Sequence, residues 1–285
     1  MHLQPGTLYV VGTPIGNLED MTIRAVHTLQ AADLIAAEDT RHTGKLLHHF
    51  QIQTPQISYY EHNRRQRIPE LLDRLRAGKT VAVVTDAGMP GISDPGGELV
   101  GSCLEVGIPV VPVPGVSACL TALSASGLAS NRFVFEGFLP GKGKERQERL
   151  EILRSQVRTM IFYEAPHRLR QTLADLAGVL GCDRAVVVAR ELTKLHEEFW
   201  RGTLEAAVEY YAERDPKGEL TLIVAGARRE SPPPSEEALR SELQHLLKQG
   251  LSRSQASRQL AQKTALPRRQ IYQLALTLAD EPPTM

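Results

Sequence analysis

The sequence predicts an α/β protein, two α/β domains followed by a small helical domain, and three observations carry that expectation. Short apolar runs alternate with amphipathic helical periods from Leu8 to Val224, the pattern of strands interleaved with helices. The texture shifts near Arg132, where Phe133 to Pro140 concentrates aromatic residues as the chain enters a second domain. Pro232-Pro233-Pro234 then reads as a semi-rigid linker, beyond which every apolar position follows helical spacing. The expected domains are 1–115, 116–230 and 231–285. A chain of 285 residues can bury cores of that number.

In order along the chain, Leu8-Tyr9-Val10-Val11 predicts the first strand and Gly12 to Asp20 a glycine-punctuated loop. Thr22 caps a helix carrying Ile23, Val26 and Leu29, and Leu34-Ile35-Ala36-Ala37 predicts a strand ending in Glu38-Asp39-Thr40-Arg41. Tyr59 to Arg67 gathers two aromatics, Glu61, His62 and three arginines ahead of a helix on Ile68, Leu71, Leu72 and Leu75. Such a segment grips single-stranded RNA or forms a solvated helix entrance. Val81-Ala82-Val83-Val84 has no polar residue, as suits a strand covered on both faces. It opens into Thr85 to Gly97, a loop with four glycines and two prolines, whose composition allows positive φ and close backbone approach. Ligands of open α/β sheets lie at the carboxyl ends of strands, where this loop belongs. A long turn held by Asx bonds from Asp86 and Asp94 is the alternative.

The second half repeats the alternation. A helix on Leu99, Val100, Cys103 and Leu104 precedes the strand Pro109 to Val113, and Pro114-Gly115-Val116-Ser117-Ala118 opens a small-residue helix. Lys142 to Arg149 is a basic loop entering a charged helix. Met160-Ile161-Phe162-Tyr163 and Ala185-Val186-Val187-Val188-Ala189 are strands ending in the polar clusters Glu164 to Arg168 and Arg190 to Lys194. A helix on Leu204, Ala207, Val208 and Tyr211 and the strand Leu220 to Val224 close the domain. Ser235 caps the first of three final helices, and Arg253, Arg258, Lys263, Arg268 and Arg269 line the last two. That trio suits a helix-turn-helix-like nucleic-acid contact or a packing domain.

Composition narrows the function. Lys+Arg and Asp+Glu stand at 33 each, so no global field draws nucleic acid and any such contact comes from local patches. Cys103, Cys119 and Cys182 are too scattered for a disulfide framework or a zinc site, which points to a reducing cytoplasm. No apolar run reaches bilayer length, so no membrane is expected. Gly12 and Gly16 are four apart with Pro14 between them, the wrong spacing for a dinucleotide fingerprint, and the P-loop pattern is absent.

Taken together, Tyr9–Asp20, Glu38–Arg41, Thr85–Gly97, Pro112–Ala118, Phe135–Pro140, Tyr163–Arg168, Arg190–Gly202 and Glu219–Gly226 resemble the tetrapyrrole methylase superfamily, in its ribosomal-RNA-modifying branch. The resemblance implies α/β domains of tetrapyrrole-methylase type with S-adenosylmethionine in the cleft between them, usually in a homodimer. It implies 2′-O-methylation of a cytidine ribose in small-subunit (16S) ribosomal RNA, as naked RNA or in the assembled subunit. By the same resemblance Ile15, Asp86, Gly88, Met89, Ser117, Ala118, Glu164 and Gly202 are cofactor contacts. The superfamily's usual first-loop and Gly-Asp-Pro patterns appear here as Gly-Thr-Pro-Ile-Gly and Thr-Asp-Ala-Gly-Met-Pro.

A ribose hydroxyl is a weak nucleophile at pH 7, so a general base or a stabilising cation is expected beside it. Asp39, Glu61 and Glu164 are the candidate acids, with Glu38 and Glu197 as further choices. Arg41, Arg168 and Lys194 are the candidate cations. No metal is expected, because no His/Asp/Glu cluster shows ligand spacing and a sulfonium is already activated. The rival readings are a methyltransferase for a tetrapyrrole or a modified protein histidine, and a non-catalytic RNA-binding adaptor.

Overall fold

The computed structural model describes residues 2–227, 235–264 and 266–278. By chain contacts it divides into two compact units, Met1–Ala227 and Arg228–Met285. The linker prolines 232–234 and the boundary expected at 230/231 lie outside the described residues.

The first unit holds two five-stranded sheets. The first comprises β1 (Leu8–Val11), β2 (Leu34–Ala37), β3 (Gln56–Ser58), β4 (Val81–Val84) and β5 (Val110–Val113), in the order β3-β2-β4-β1-β5. Every pair is parallel, so all five strands end at one edge. Alternate residues explain why its central strands are apolar throughout. Tyr9, Val11, Ala82 and Val84 pack under α1 (Ile23–Ala31) and α2 (Thr40–His49), while Leu8, Val10, Val81 and Val83 pack under α3 (Arg64–Arg76) and α4 (Gly97–Glu105). Thr22 caps α1 as expected, accepting from the Ala25 N–H at 3.1 Å. Tyr59 is 1% exposed within the second of these clusters, so it is a core residue and not a platform for a nucleobase.

After α5 (Ala118–Ser126) comes the second sheet, with β6 (Phe133–Phe138), β7 (Thr159–Glu164), β8 (Ala185–Arg190), β9 (Glu198–Thr203) and β10 (Leu220–Val224) in the order β6-β7-β10-β8-β9. It is mixed. β10 runs antiparallel to β7 and β8, which sets Leu220 opposite both Glu164 and Arg190. One face packs on α6 (Gly143–Leu153), α7 (Leu169–Leu180) and α8 (Leu204–Ala212). The other face, through Ile161, Val187 and Ile223, packs on Cys119 and Leu123 of α5 and on Ile15 of the first loop. That shared cluster brings the strand ends of both sheets to one place.

The second unit is α9 (Glu236–Lys248), α10 (Arg253–Thr264) and α11 (Arg268–Thr277) around Leu239, Leu243, Leu246, Leu260 and Ile271. Ser235 caps α9, accepting from the Ala238 N–H at 3.2 Å. No described helix is long and apolar enough to cross a membrane.

Candidate active site at the strand ends

Two loops build the floor of the site. The loop after β1 and the loop after β4 are tied by a reciprocal pair of backbone bonds, Thr13 N–H to Gly88 O at 2.9 Å and Gly88 N–H to Thr13 O at 3.1 Å. Gly88 has a φ of 84°, where a side chain would be strained. Gly12 and Gly115 touch backbone to backbone; a Cβ on Gly12 would stand 2.7 Å from the Gly115 Cα. Only glycine permits this approach.

Above this floor is a cavity of ≈ 370 Å³. Ile15, Met89, Ala118 and the aromatic pair Phe138 and Tyr163, with ring centroids 5.7 Å apart, form its apolar wall. Its charged lining is wholly acidic: Glu38, Asp86, Asp94, Glu164 and Glu219, with no lysine, arginine or histidine. Burial, aided by the charges of Glu38, Asp86 and Glu219, pushes the Asp94 carboxyl up to about 7, and burial also raises Glu38. A second cavity of ≈ 520 Å³ shares Ile15, Asp86, Ala87 and Glu219 with the first. Among the described residues no group of three or more His, Cys, Asp or Glu is arranged to hold a metal ion.

The acidic cavity suits the S-adenosylmethionine implied by the sequence resemblance, a molecule with positive charge at sulfur and at nitrogen, an adenine for an aromatic wall and an apolar middle. Of the residues expected to hold it, Ile15, Asp86, Met89, Ser117, Ala118 and Glu164 line the cavity. Gly88 lies beneath, with its N–H and C=O both given to Thr13. Gly202 lines neither cavity: it pairs with Val186 at the far end of the second sheet, where a Cβ would meet the Trp200 ring at 2.6 Å.

The expected catalytic residues are scattered. Asp39 caps α2 and chelates its own Arg41, at 3.1 Å to Nε and 2.8 Å to Nη2, and those hydrogen bonds hold its carboxyl well below the usual range. Arg41 is otherwise exposed, and neither residue lines either of these two cavities. Glu61 is also exposed, 3.8 Å from Arg64 and outside both cavities. Glu164 is 3% exposed and fully engaged: it accepts from the Ala165 N–H at 2.8 Å and from the Thr172 hydroxyl, and lies 3.3 Å from Arg168. Arg168 spends its guanidinium on that pair and on the Leu139 and Pro140 carbonyls. Lys194 lines the second cavity but is shared by Glu191 at 2.7 Å and Glu219 at 2.8 Å.

Sequence reasoning passed over Asp94, Phe138, Tyr163 and Glu219 as site residues. Asp94 stood in the glycine loop, Tyr163 and Glu219 at the ends of runs read as strands, and Phe138 in a stretch read only as rich in aromatic residues. A carboxyl raised to about 7 from its ordinary 3.8 makes stability fall as pH rises between those values, because the folded state keeps a proton that the unfolded state releases. Above pH 7 ionised Asp94 therefore costs stability. Asp94→Asn should raise the melting temperature at pH 8, by about 3 °C after solvent screening, with little change at pH 4. Thermal scans at the two pH values check this; equal shifts at both would remove the charge argument.

Comparison with known proteins agrees with this geometry. Over 274 residues the chain is 62% identical to "Ribosomal RNA small subunit methyltransferase I" of Synechocystis sp., covering 96% of this chain and 98% of that one. It is 45% identical over 272 residues to the protein of the same name from Bacillus subtilis, covering 94% and 93%. Among solved structures, uroporphyrin-III C-methyltransferase from Thermus thermophilus complexed with S-adenyl homocysteine superposes with a TM-score of 0.56 at 21% identity, covering 77% of this chain and 97% of that one. A diphthine synthase gives 0.61 at 15% identity, covering 77% and 90%. These structures share the fold. The sequence model of the Tetrapyrrole (Corrin/Porphyrin) Methylases matches residues 7–208, which hold the first sheet, β6 to β9 of the second and the lining of the acidic cavity from Ile15 to Pro166, and with relatives this similar over nearly its whole length the chain belongs to that methylase family.

Proposed function

We propose that the protein methylates small-subunit ribosomal RNA with S-adenosylmethionine as donor, and that the acceptor is the 2′-oxygen of a cytidine ribose. The observation that carries this reading is the acidic, aromatic-walled cavity at the strand ends, in a chain whose near full-length relatives bear the name of a ribosomal RNA methyltransferase. Bound there, S-adenosylmethionine supplies an activated methyl group on a sulfonium centre. Glu38, Asp86, Asp94 and Glu219 favour positive charge through their combined field, and Phe138 and Tyr163 offer a ring face. Glu164 acts through its bonds to Thr172 and Ala165, which fix the turn after β7.

An attacking ribose hydroxyl must also lose its proton. Asp39, Glu61 and Glu164 are respectively chelated, outside the cavities and fully bonded, Glu197 accepts the Thr193 N–H outside both cavities and Glu38 lines only the acidic one, which favours the carboxylates of the wall common to both. Asp86 is the stronger choice: its Oδ1 accepts the Asp39 N–H at 3.2 Å, and its Oδ2 takes the proton. Glu219 is already paired with Lys194. In the same reading the protein is a cytoplasmic homodimer, and Arg268 and Arg269 at the start of α11 hold RNA phosphates.

Labelled S-adenosylmethionine incubated with small-subunit RNA, or with assembled subunits, should place label on one cytidine. A 2′-deoxy nucleotide there should abolish transfer, chelator should leave it intact, and Asp86→Asn should lower kcat at least about a hundredfold. Label on a base, or on the deoxy substrate, would reject the ribose assignment, and no label in any RNA would reject the function.

A further inference from the structure

The two cavities that meet at Asp86 differ in charge. The acidic cavity holds no cation, whereas the second is lined by Lys45, His42 and Lys194. Lys194 is already compensated by Glu191 and Glu219. Lys45 has no carboxylate within ion-pair distance among the described residues, and it shares a side of α2 with His42, three residues earlier. Thr43, Leu46 and Leu47 are the buried residues of that helix, and Leu46 and Leu47 join the first sheet's core, so packing anchors the helix that carries the exposed Lys45 and His42.

An independent feature of the same cavity also asks for a ligand. Thr85 lines it at 2% exposure, yet the Thr85 Oγ1 has no hydrogen-bond partner. A buried hydroxyl left unpaired costs about 1–3 kcal/mol, so such atoms in a binding cavity are explained by the group that completes them. The Thr85 main chain is tied to the first loop, its carbonyl accepting the Thr13 hydroxyl at 3.1 Å. The cavity thus offers a neutral donor and acceptor in the Thr85 hydroxyl and uncommitted donors in Lys45 and His42, with the Asp86 carboxylate shared with the acidic cavity.

We propose that this second cavity is the subsite for one ribose phosphate unit of the substrate strand, with the phosphate against Lys45 and His42 and a ribose hydroxyl on Thr85 Oγ1. The inference rests on the proposed RNA methylation and extends it to residues that lie outside the acidic cavity. It gives the two ligands separate chambers, a cation in the wholly acidic one and a phosphate at the unpaired Lys45 of the other, meeting at the carboxylate wall of Asp86 and Glu219. Lysine, a compact point charge, is suited to a phosphate whose approach is fixed by the ribose.

The probe is cytidine 3′-monophosphate, titrated into the full-length protein and followed by amide NMR. Saturable shifts are expected at Thr85 and Lys45, with affinity reduced about tenfold in Lys45→Ala and restored in Lys45→Arg. Thr85→Val, which removes a hydroxyl that bonds to nothing in the free protein, should keep or raise the melting temperature while weakening the nucleotide. In methyl transfer, Lys45→Ala should raise KM for RNA about tenfold and leave cofactor affinity unchanged. Absence of saturable shifts at Thr85 and Lys45, or wild-type nucleotide affinity in both variants, overturns the subsite even if RNA is methylated. Nucleotide binding that is lost in Lys45→Ala, in a protein that methylates no RNA, upholds the subsite and rejects the reading of function instead.

Discussion

Gly115→Ala should lower stability by about 3 kcal/mol and abolish cofactor binding, a large effect for a single methyl group. Gly12 and Gly115 leave β1 and β5 side by side, and a Cβ on Gly115 would stand 2.7 Å from the Gly12 Cα and 2.9 Å from its carbonyl carbon. Both obstacles are main chain, so no side-chain rotation relieves the clash. The strands would have to separate at the end where the Gly12 N–H donates to the Val113 carbonyl at 3.1 Å. That movement would carry away Ile15, which bridges the first loop to the second sheet's core. Gly178→Ala is the matched control: it lies within α7 with open space around it and should gain about 0.5–1 kcal/mol. Denaturant unfolding and calorimetric titration of both variants decide the matter. A Gly115→Ala protein with wild-type stability and affinity would show that the two loops can part without harm.

Glu164→Ala is expected to cost about 3 kcal/mol, because it breaks a buried polar network at its centre. The carboxylate takes the Thr172 hydroxyl, and the Thr172 oxygen in turn accepts from Arg146 Nη2 at 2.9 Å. Arg146 is itself buried, bound to Asp175 at 2.7 Å and to the Pro140 carbonyl at 2.9 Å. Removing Glu164 leaves Thr172 without its acceptor and Arg168 without its counter-charge in a region with little water to replace them. Glu164→Gln, which keeps an oxygen for the Ala165 N–H, should lose less. Unfolding curves for the two variants, with cofactor affinity measured on the folded fraction, separate framework from contact. Wild-type stability in Glu164→Ala would assign the carboxylate to ligand binding alone.

What was legible in the sequence follows from how each residue earns its place. β1, β2 and β4 were read to the residue because central strands of a parallel sheet are apolar on both faces and leave uninterrupted runs. β3, β9 and, as a strand, the aromatic stretch of β6 were missed, and in the first two the reason is plain. Both are edge strands, and Gln56-Ile57-Ser58 or Glu198-Phe199-Trp200-Arg201 mixes polar with apolar residues because one side faces no neighbour. The helix α2 was missed too: in Thr40-Arg41-His42-Thr43-Gly44-Lys45 the only apolar periodicity comes late, at Leu46 and Leu47. With it went the position of Lys45 and His42. The glycine loop after β4 was read as a binding element, and Asp86, Met89 and Asp94 of that loop line the acidic cavity. The roles of Asp39, Arg168 and Lys194 were not legible, since a carboxylate or cation looks the same in sequence whether it meets a substrate or an adjacent side chain.

The strand order β3-β2-β4-β1-β5 also has a consequence for how the chain acquires its shape. Leu8 pairs with Val81 and Val110, so the first strand made in synthesis is completed only after the fifth has appeared. The second sheet ends on β10, whose Leu220 lies between Glu164 and Arg190 and lines the acidic cavity. Pairings so distant in sequence close slowly, since loop entropy is spent before any contact returns it. The trio α9 to α11 meets neighbours close in sequence and can fold on a far shorter timescale. A nascent chain halted before residue 220 therefore holds a strand-end cleft with one wall missing, and ligand affinity should arise in a single late step of refolding.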